Sequence, residues 1–150
     1  MPSIADAFGP RAVRASMDRQ LVPGCVVRIN VRFPQGTKPK FLVFAGSNGD
    51  ALFFIVSSKT NEYVARRPEL NKCQVTIDAR DHPFLDHDSK VACHEVWRFK
   101  REDVLDELCK DVQQHKGAVS RHVRDQIVAA AKAAITIDPA TQTRIAQDLA

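Results

Sequence analysis

Two apolar runs, close together in the chain, decide most of what it can fold into. Phe41 to Ala45 and Ala51 to Val56 are rich in β-branched and aromatic residues, and Gly46-Ser47-Asn48-Gly49-Asp50 joins them. An Asn-Gly step between such runs predicts a hairpin, because both residues accept the backbone angles of a tight reversal. Both strands are expected to be buried. Lys38 and Lys40 lead into the first, while Ser57, Ser58, Lys59 and Thr60 follow the second. In an antiparallel pair the start of one strand lies beside the end of the next, so these cations and hydroxyls should meet at one rim. That rim is the candidate site.

The rest of the chain is read around this hairpin. Ser3-Ile4-Ala5-Asp6 has the form of a capping box, and Val13, Met17 and Leu21 recur at helical spacing, which predicts an N-terminal helical arm over residues 1–22. From Cys25 the period becomes two: Cys25, Val27, Ile29, Val31 and Phe33 face one way, and Val26, Arg28, Asn30 and Arg32 the other. On this strand Arg28 and Arg32 flank Asn30 at steps of roughly 6–7 Å, a spacing that resembles successive phosphates on a nucleic-acid strand. A solvated outer face is the plainer account of the same pattern.

Pro34 to Thr37 is expected to be a loop, and Asn61 to Lys72 a polar loop with one short helical turn. Cys73 to Ile77 alternates as a strand. Asp81 to Ser89 reads as a loop pinned by Pro83, Phe84 and Leu85, and Lys90 to Phe99 as one strand containing the single Trp97. Val104, Leu105, Leu108 and Val112 then mark a helix with Glu102 and Asp103 in its first turn and Gly117 as its stop. Ser120 can cap a second helix with an apolar stripe of Val123, Ile127, Ala130, Ala131 and Ala134, and Asp138-Pro139 can start a short final helix within residues 136–150. Six or so strands followed by helices predict an α+β fold, a small barrel over residues 23–135 with helices at one end.

With 150 residues, 44% of them hydrophobic, the chain can bury one core and is short for two domains. It has no long apolar run, and its start lacks the pattern of a signal peptide, so a cytoplasmic protein without membrane association is expected. Four cysteines without CxxC spacing are expected to be reduced thiols. A net charge of +4 suits a polyanionic partner without requiring one.

The segment from Asp81 to Glu95 also packs His82, His87 and His94 with Asp86, Asp88 and Cys93. A metal would need three or four of these to converge at about 2.0–2.3 Å, and none of the short fixed spacings of zinc motifs is present. No metal is therefore assigned. A Cys93 nucleophile with His94 as its base fails on a regular strand, where neighbours point to opposite faces.

PGCVV opening a strand, a glycine loop, KP leading into FLVF, the hairpin end IVSS, then VACHEV, VLDEL and GAVSRHVRDQI together resemble the PemK/MazF family of toxin endoribonucleases. The similarity spans residues 23 to 130 and lies in layout, with few identities. It implies an SH3-like barrel that forms a homodimer, cleaves single-stranded RNA without metal or cofactor, and meets an antitoxin protein. The family's arginine-proline falls on Lys38-Pro39, and its catalytic threonine or serine on Ser57, with Ser58 adjacent. Its later motif, Arg-x-Asp-Gln or a relative of it, falls on Ala92-Cys93-His94-Glu95, where this chain has alanine for the arginine and histidine for the aspartate.

Cleavage through the 2′-hydroxyl needs a base, an acid and cationic donors for the charge building on phosphorus. Lys38, Ser57, Ser58 and His94 are the catalytic candidates. Lys38 would stabilise charge, the serines would orient the phosphate, and His94 would move a proton. Arg28, Arg32, Lys40 and Lys59 are the RNA-binding candidates. Two other functions suit the same residues: a non-catalytic module gripping nucleic acid or protein, and a metal-dependent hydrolase centred on the histidine-rich loop.

Overall fold

The predicted hairpin forms as β2 (Gly36–Ser47) and β3 (Ala51–Ser57), with Phe44 opposite Phe53 and Phe41 opposite Val56. The computed structural model describes residues 9–59 and 61–150. The Ser3-to-Asp6 box and Thr60 lie outside them. A bulge follows Phe44, and Gly46 suits it: at φ +148° a Cβ would stand 2.5 Å from the Asp148 carboxylate and displace that side chain. That carboxylate accepts the Ser47 N–H at 3.0 Å, tying the hairpin turn to the last helix.

Strand β1 (Cys25–Phe33) pairs with β2 from Val26 opposite Val43 out to Phe33 opposite Gly36. The expected Pro34–Thr37 loop is thus shorter than predicted, because Gly36 and Thr37 already belong to β2. Proline presets φ on one side of the reversal and Gly36, at φ +133°, resumes the strand at once. The full sheet is antiparallel and runs β4-β5-β3-β2-β1-β7, with β6 on the other half of the β3 edge; β4 is Gln74–Ile77, β5 Ser89–Ala92, β6 Trp97–Phe99 and β7 His115–Ala118.

Two expectations fail here. Residues 90–99 are not one strand: β5 meets the end of β3 (Val56 opposite Val91) and β6 meets its start (Phe53 opposite Trp97), in two registers. The residues between them bulge out of the ladder as a turn at Cys93-His94. Nor does Gly117 stop the first long C-terminal helix. That helix, which ends at Lys110, is followed by Asp111, whose carboxylate takes the Gln113 N–H and the Gln114 amide and starts a single 3-10 turn instead. Gly117 lies within β7, opposite Val26.

The helices are α1 (Pro10–Gln20), α2 (Glu62–Ala65), α3 (Pro68–Asn71), α4 (Arg101–Lys110), α5 (Arg121–Ala133) and α6 (Pro139–Leu149). Ser120 and Asp138 cap α5 and α6 as predicted, through the N–H groups of Val123 and Thr141. The helices do not gather at one end. α5 and α6 place Val123, Ile127, Ala131, Ile145 and Leu149 against the sheet face of Val26, Val43, Phe54, Val56 and Val91. α1 and α4 place Met17, Leu21, Val104, Leu105 and Leu108 against the opposite face, built from Val27, Ile29, Leu42, Phe53 and Ile55. Val26 is fully buried for this reason, although alternation groups it with Arg28 and Arg32. The described part of the predicted arm, residues 9–22, is docked: Arg101 on α4 holds the Asp18 carboxylate at 3.0 Å and the Leu21 carbonyl at 3.1 Å. Among the described residues no helix is long and apolar enough to cross a membrane.

Candidate functional site

The ladder that pairs Phe41 with Val56 brings Lys40 and Ser57 to the next rung, and Ser57 in turn faces Lys90 on β5. At this exit of β3 a pocket of about 390 Å³ is lined by Lys40, Ser57, Ser58, Lys59, His94 and Glu95. Its apolar wall is the edge-to-face pair Phe33 and Trp97, with ring centroids 5.4 Å apart, and the Lys40 ammonium lies 5.9 Å from the Phe33 centroid. Hairpin, β3 exit and turn therefore converge as predicted for Ser57, Ser58, Lys59, Lys40 and His94. Lys38 does not line this pocket. It pairs with Val31, two residues further out on the β1–β2 ribbon, and is exposed. The ribbon outruns β3, so Lys40 occupies the place expected of Lys38.

His94 reaches the rim because it sits on the turn between β5 and β6. The Thr136 hydroxyl donates to its backbone carbonyl and anchors the turn. Its Nδ1 lies 3.4 Å from the Gln74 side-chain amide nitrogen. In that orientation the amide donates, Nδ1 accepts and Nε2 carries the ring proton; with the amide oxygen turned inward, Nδ1 would donate and Nε2 would be the basic atom. Partial burial pushes the His94 pKa below the usual imidazole range, opposed by the neighbouring Glu95 charge. The ring is held toward its neutral form.

A second pocket, about 240 Å³, opens on the other face of the same strand end. It shares Lys40, Ser57 and Ser58 with the first and adds Arg28, Asp86, His87 and Ser89. In the sequence His87 stands out only as a metal donor. The signal that places it here is that a strand beginning at Ser89 and pairing with the end of β3 must bring its preceding loop to the β3 exit. Arg28, opposite Phe41, belongs to this second pocket, and Arg32, opposite Thr37, lines neither. β1 and β2 contain no Asp or Glu. Among the described residues, Arg28, Arg32, Lys38, Lys40 and Lys59 make no salt bridge.

The three histidines of the suspected metal loop go to three places. His82 is fully buried: its Nδ1 donates to the Asp78 carbonyl at 2.7 Å, and its Nε2 accepts the Ser120 N–H at 3.0 Å. Both ring nitrogens are thereby used to pin the loop to the start of α5. Among the described residues no three His, Cys, Asp or Glu side chains cluster as a metal site would require. Cys93 is excluded as a nucleophile on grounds other than strand geometry, since it is fully buried and burial raises its thiol pKa well above the ordinary value.

Such a constellation can bind a phosphodiester through ammonium groups and hydroxyls and exchange a proton with it through an imidazole. No family model and no curated protein matches the chain.

Proposed function

We propose that the protein binds single-stranded RNA at the exit of β3 and cleaves it through the RNA's own 2′-hydroxyl, in the manner of PemK/MazF toxins. The observation that carries this reading is the convergence of Lys40, Ser57, Ser58, Lys59 and His94 on one pocket. In the proposed step His94 accepts the 2′-hydroxyl proton, the 2′-oxygen bonds to phosphorus, and the bond to the 5′-oxygen breaks. That oxygen takes a proton from water at the open rim, leaving a 2′,3′-cyclic phosphate. Lys40 and Lys59 offset the charge on the phosphorane, while Ser57 and Ser58 donate to its oxygens. Lys38, on the same face of β2 as Lys40, extends the cationic track along the ribbon, while Arg28 and Arg32 offer a second set of phosphate contacts on the ribbon's other face. As in the family it resembles, the chain would be an SH3-like barrel acting as a homodimer and restrained by an antitoxin protein.

A second reading has its own observation. The pocket has one imidazole against several cations, which suits a module that holds RNA without cutting it. Incubating purified protein with mixed RNA in EDTA separates the two. Fragments ending in cyclic phosphate support cleavage; retention of intact RNA supports the module; neither retention nor fragments refutes both.

A further inference from the structure

We propose that the groove adjoining the first pocket holds a nucleobase of the bound strand, stacked on Tyr63. This inference rests on the RNA-binding reading above. The groove, about 540 Å³, shares Asn61, His94 and Glu95 with the pocket and continues it past the His94 turn.

Its chemistry is unlike that of its neighbour. Val64, Leu70 and Ile137 supply apolar surface, and Asp138 and Glu95 supply negative charge. Both cations on this side are already engaged: Arg98, in the groove lining, donates to Asn48 Oδ1 and Thr141 Oγ1, each at 3.2 Å, and lies 3.9 Å from Asp138, and Arg67, outside the lining, is held against Tyr63. A phosphate is therefore poorly served here, whereas a flat uncharged group with hydrogen-bonding edges is well served. Asn61 accepts the Val64 N–H through Oδ1 at 2.8 Å, which leaves its amide N–H groups for a base carbonyl or ring nitrogen.

Tyr63 is the platform. Its side of the groove is open, the residue being 61% exposed. The Arg67 guanidinium lies over the ring, 3.6 Å from its centroid, and donates to the Tyr63 carbonyl at 2.9 Å. The ring is thus braced before any ligand arrives, which reduces the ordering that binding must supply. Base stacking on an exposed aromatic beside a cationic phosphate track is a general mode of single-strand recognition.

The chain has one tyrosine and one tryptophan, and they report on different places: Tyr63 on the groove, Trp97 on the first pocket. The test uses full-length protein carrying fluorotyrosine, titrated with a 2′-O-methyl hexanucleotide, which cannot be cut, and with a sugar-phosphate strand of equal length lacking bases. The base-bearing strand should shift both the fluorine resonance of Tyr63 and the fluorescence of Trp97; the abasic strand should shift Trp97 alone. Tyr63→Ala should weaken the base-bearing strand roughly tenfold, leave the abasic strand unchanged, and be rescued by Tyr63→Phe. A response of Trp97 with Tyr63 silent and Tyr63→Ala neutral overturns the groove while leaving RNA binding intact. Silence of both reporters with both strands refutes RNA binding, and the groove assignment falls with it.

Discussion

The two pockets at the end of β3 share Lys40, Ser57 and Ser58 and differ in the imidazole each adds. In one, His94 is half-buried on an anchored turn, with Gln74 at its Nδ1 and its charged form disfavoured by burial. In the other, His87 is exposed on a loop beside Asp86 and Arg28. β3 ends at Ser57 and Ser58 follows it outside the strand, and both serines line both pockets, so a single strand end furnishes hydroxyls to both sides. Proton transfer is helped by a ring held in place, and the anchored turn and the Gln74 contact supply this for His94.

The sharpest way to break this comparison is to remove each imidazole in turn. His94→Ala should depress RNA cleavage by roughly 10²- to 10⁴-fold, the usual worth of a positioned acid or base. His87→Ala should change it only a few-fold, and both variants should keep the wild-type circular dichroism spectrum. Reversal of the two effects, measured as kcat/KM on one RNA, would move the chemistry to the Arg28 face.

The same contrast shows what the sequence makes legible. The hairpin, the alternation of Cys25–Phe33 and the caps at Ser120 and Asp138 are local patterns, and each forms. His94 lies at the rim as foreseen, but through a break in pairing that no local period announces: β5 and β6 use one edge of β3 in two registers. β7 is invisible for the opposite reason. His115-Lys116-Gly117-Ala118 has neither alternation nor β-branched residues, and its strand state comes from pairing with Cys25–Val27. The exchange of Lys38 for Lys40 is a question of relative strand length, which depends on where β3 ends and not on the lysines. Cys25-Val26-Val27, apolar on both sides, was the available sign that helices cover both faces at that point.

A smaller effect sharpens the role of the His94 side. Burial lowers the His94 pKa and the Glu95 charge raises it. If the neutral ring is the base, cleavage falls as pH drops through that pKa, so the acid limb of the kcat/KM profile should lie below the usual imidazole range. Glu95→Gln removes the interaction that favours imidazolium and should move this limb to still lower pH, with the neutral-pH rate little changed. A shift to higher pH, or an acid limb insensitive to Glu95, would detach the profile from His94. The same substitution should not alter any dependence on His87, which lines the other pocket.

The smallest expected effect separates the shared wall from the ribbon beyond it. Lys40 lines both pockets, whereas Lys38 pairs with Val31 beyond the β3 exit. Each lysine that contacts a phosphate of a single strand contributes about 0.7 to the slope of log affinity against log salt. Lys40→Ala should therefore weaken binding of an uncleavable RNA and flatten that slope by about 0.7. Lys38→Ala should do so only for strands long enough to run from the pocket onto the ribbon. Titration of a dinucleotide and a decanucleotide against both variants distinguishes them: for the dinucleotide, Lys40→Ala matters and Lys38→Ala does not. Equal sensitivity to both substitutions at both lengths would mean that the ribbon acts as a diffuse cationic surface and that the pocket holds no privileged phosphate.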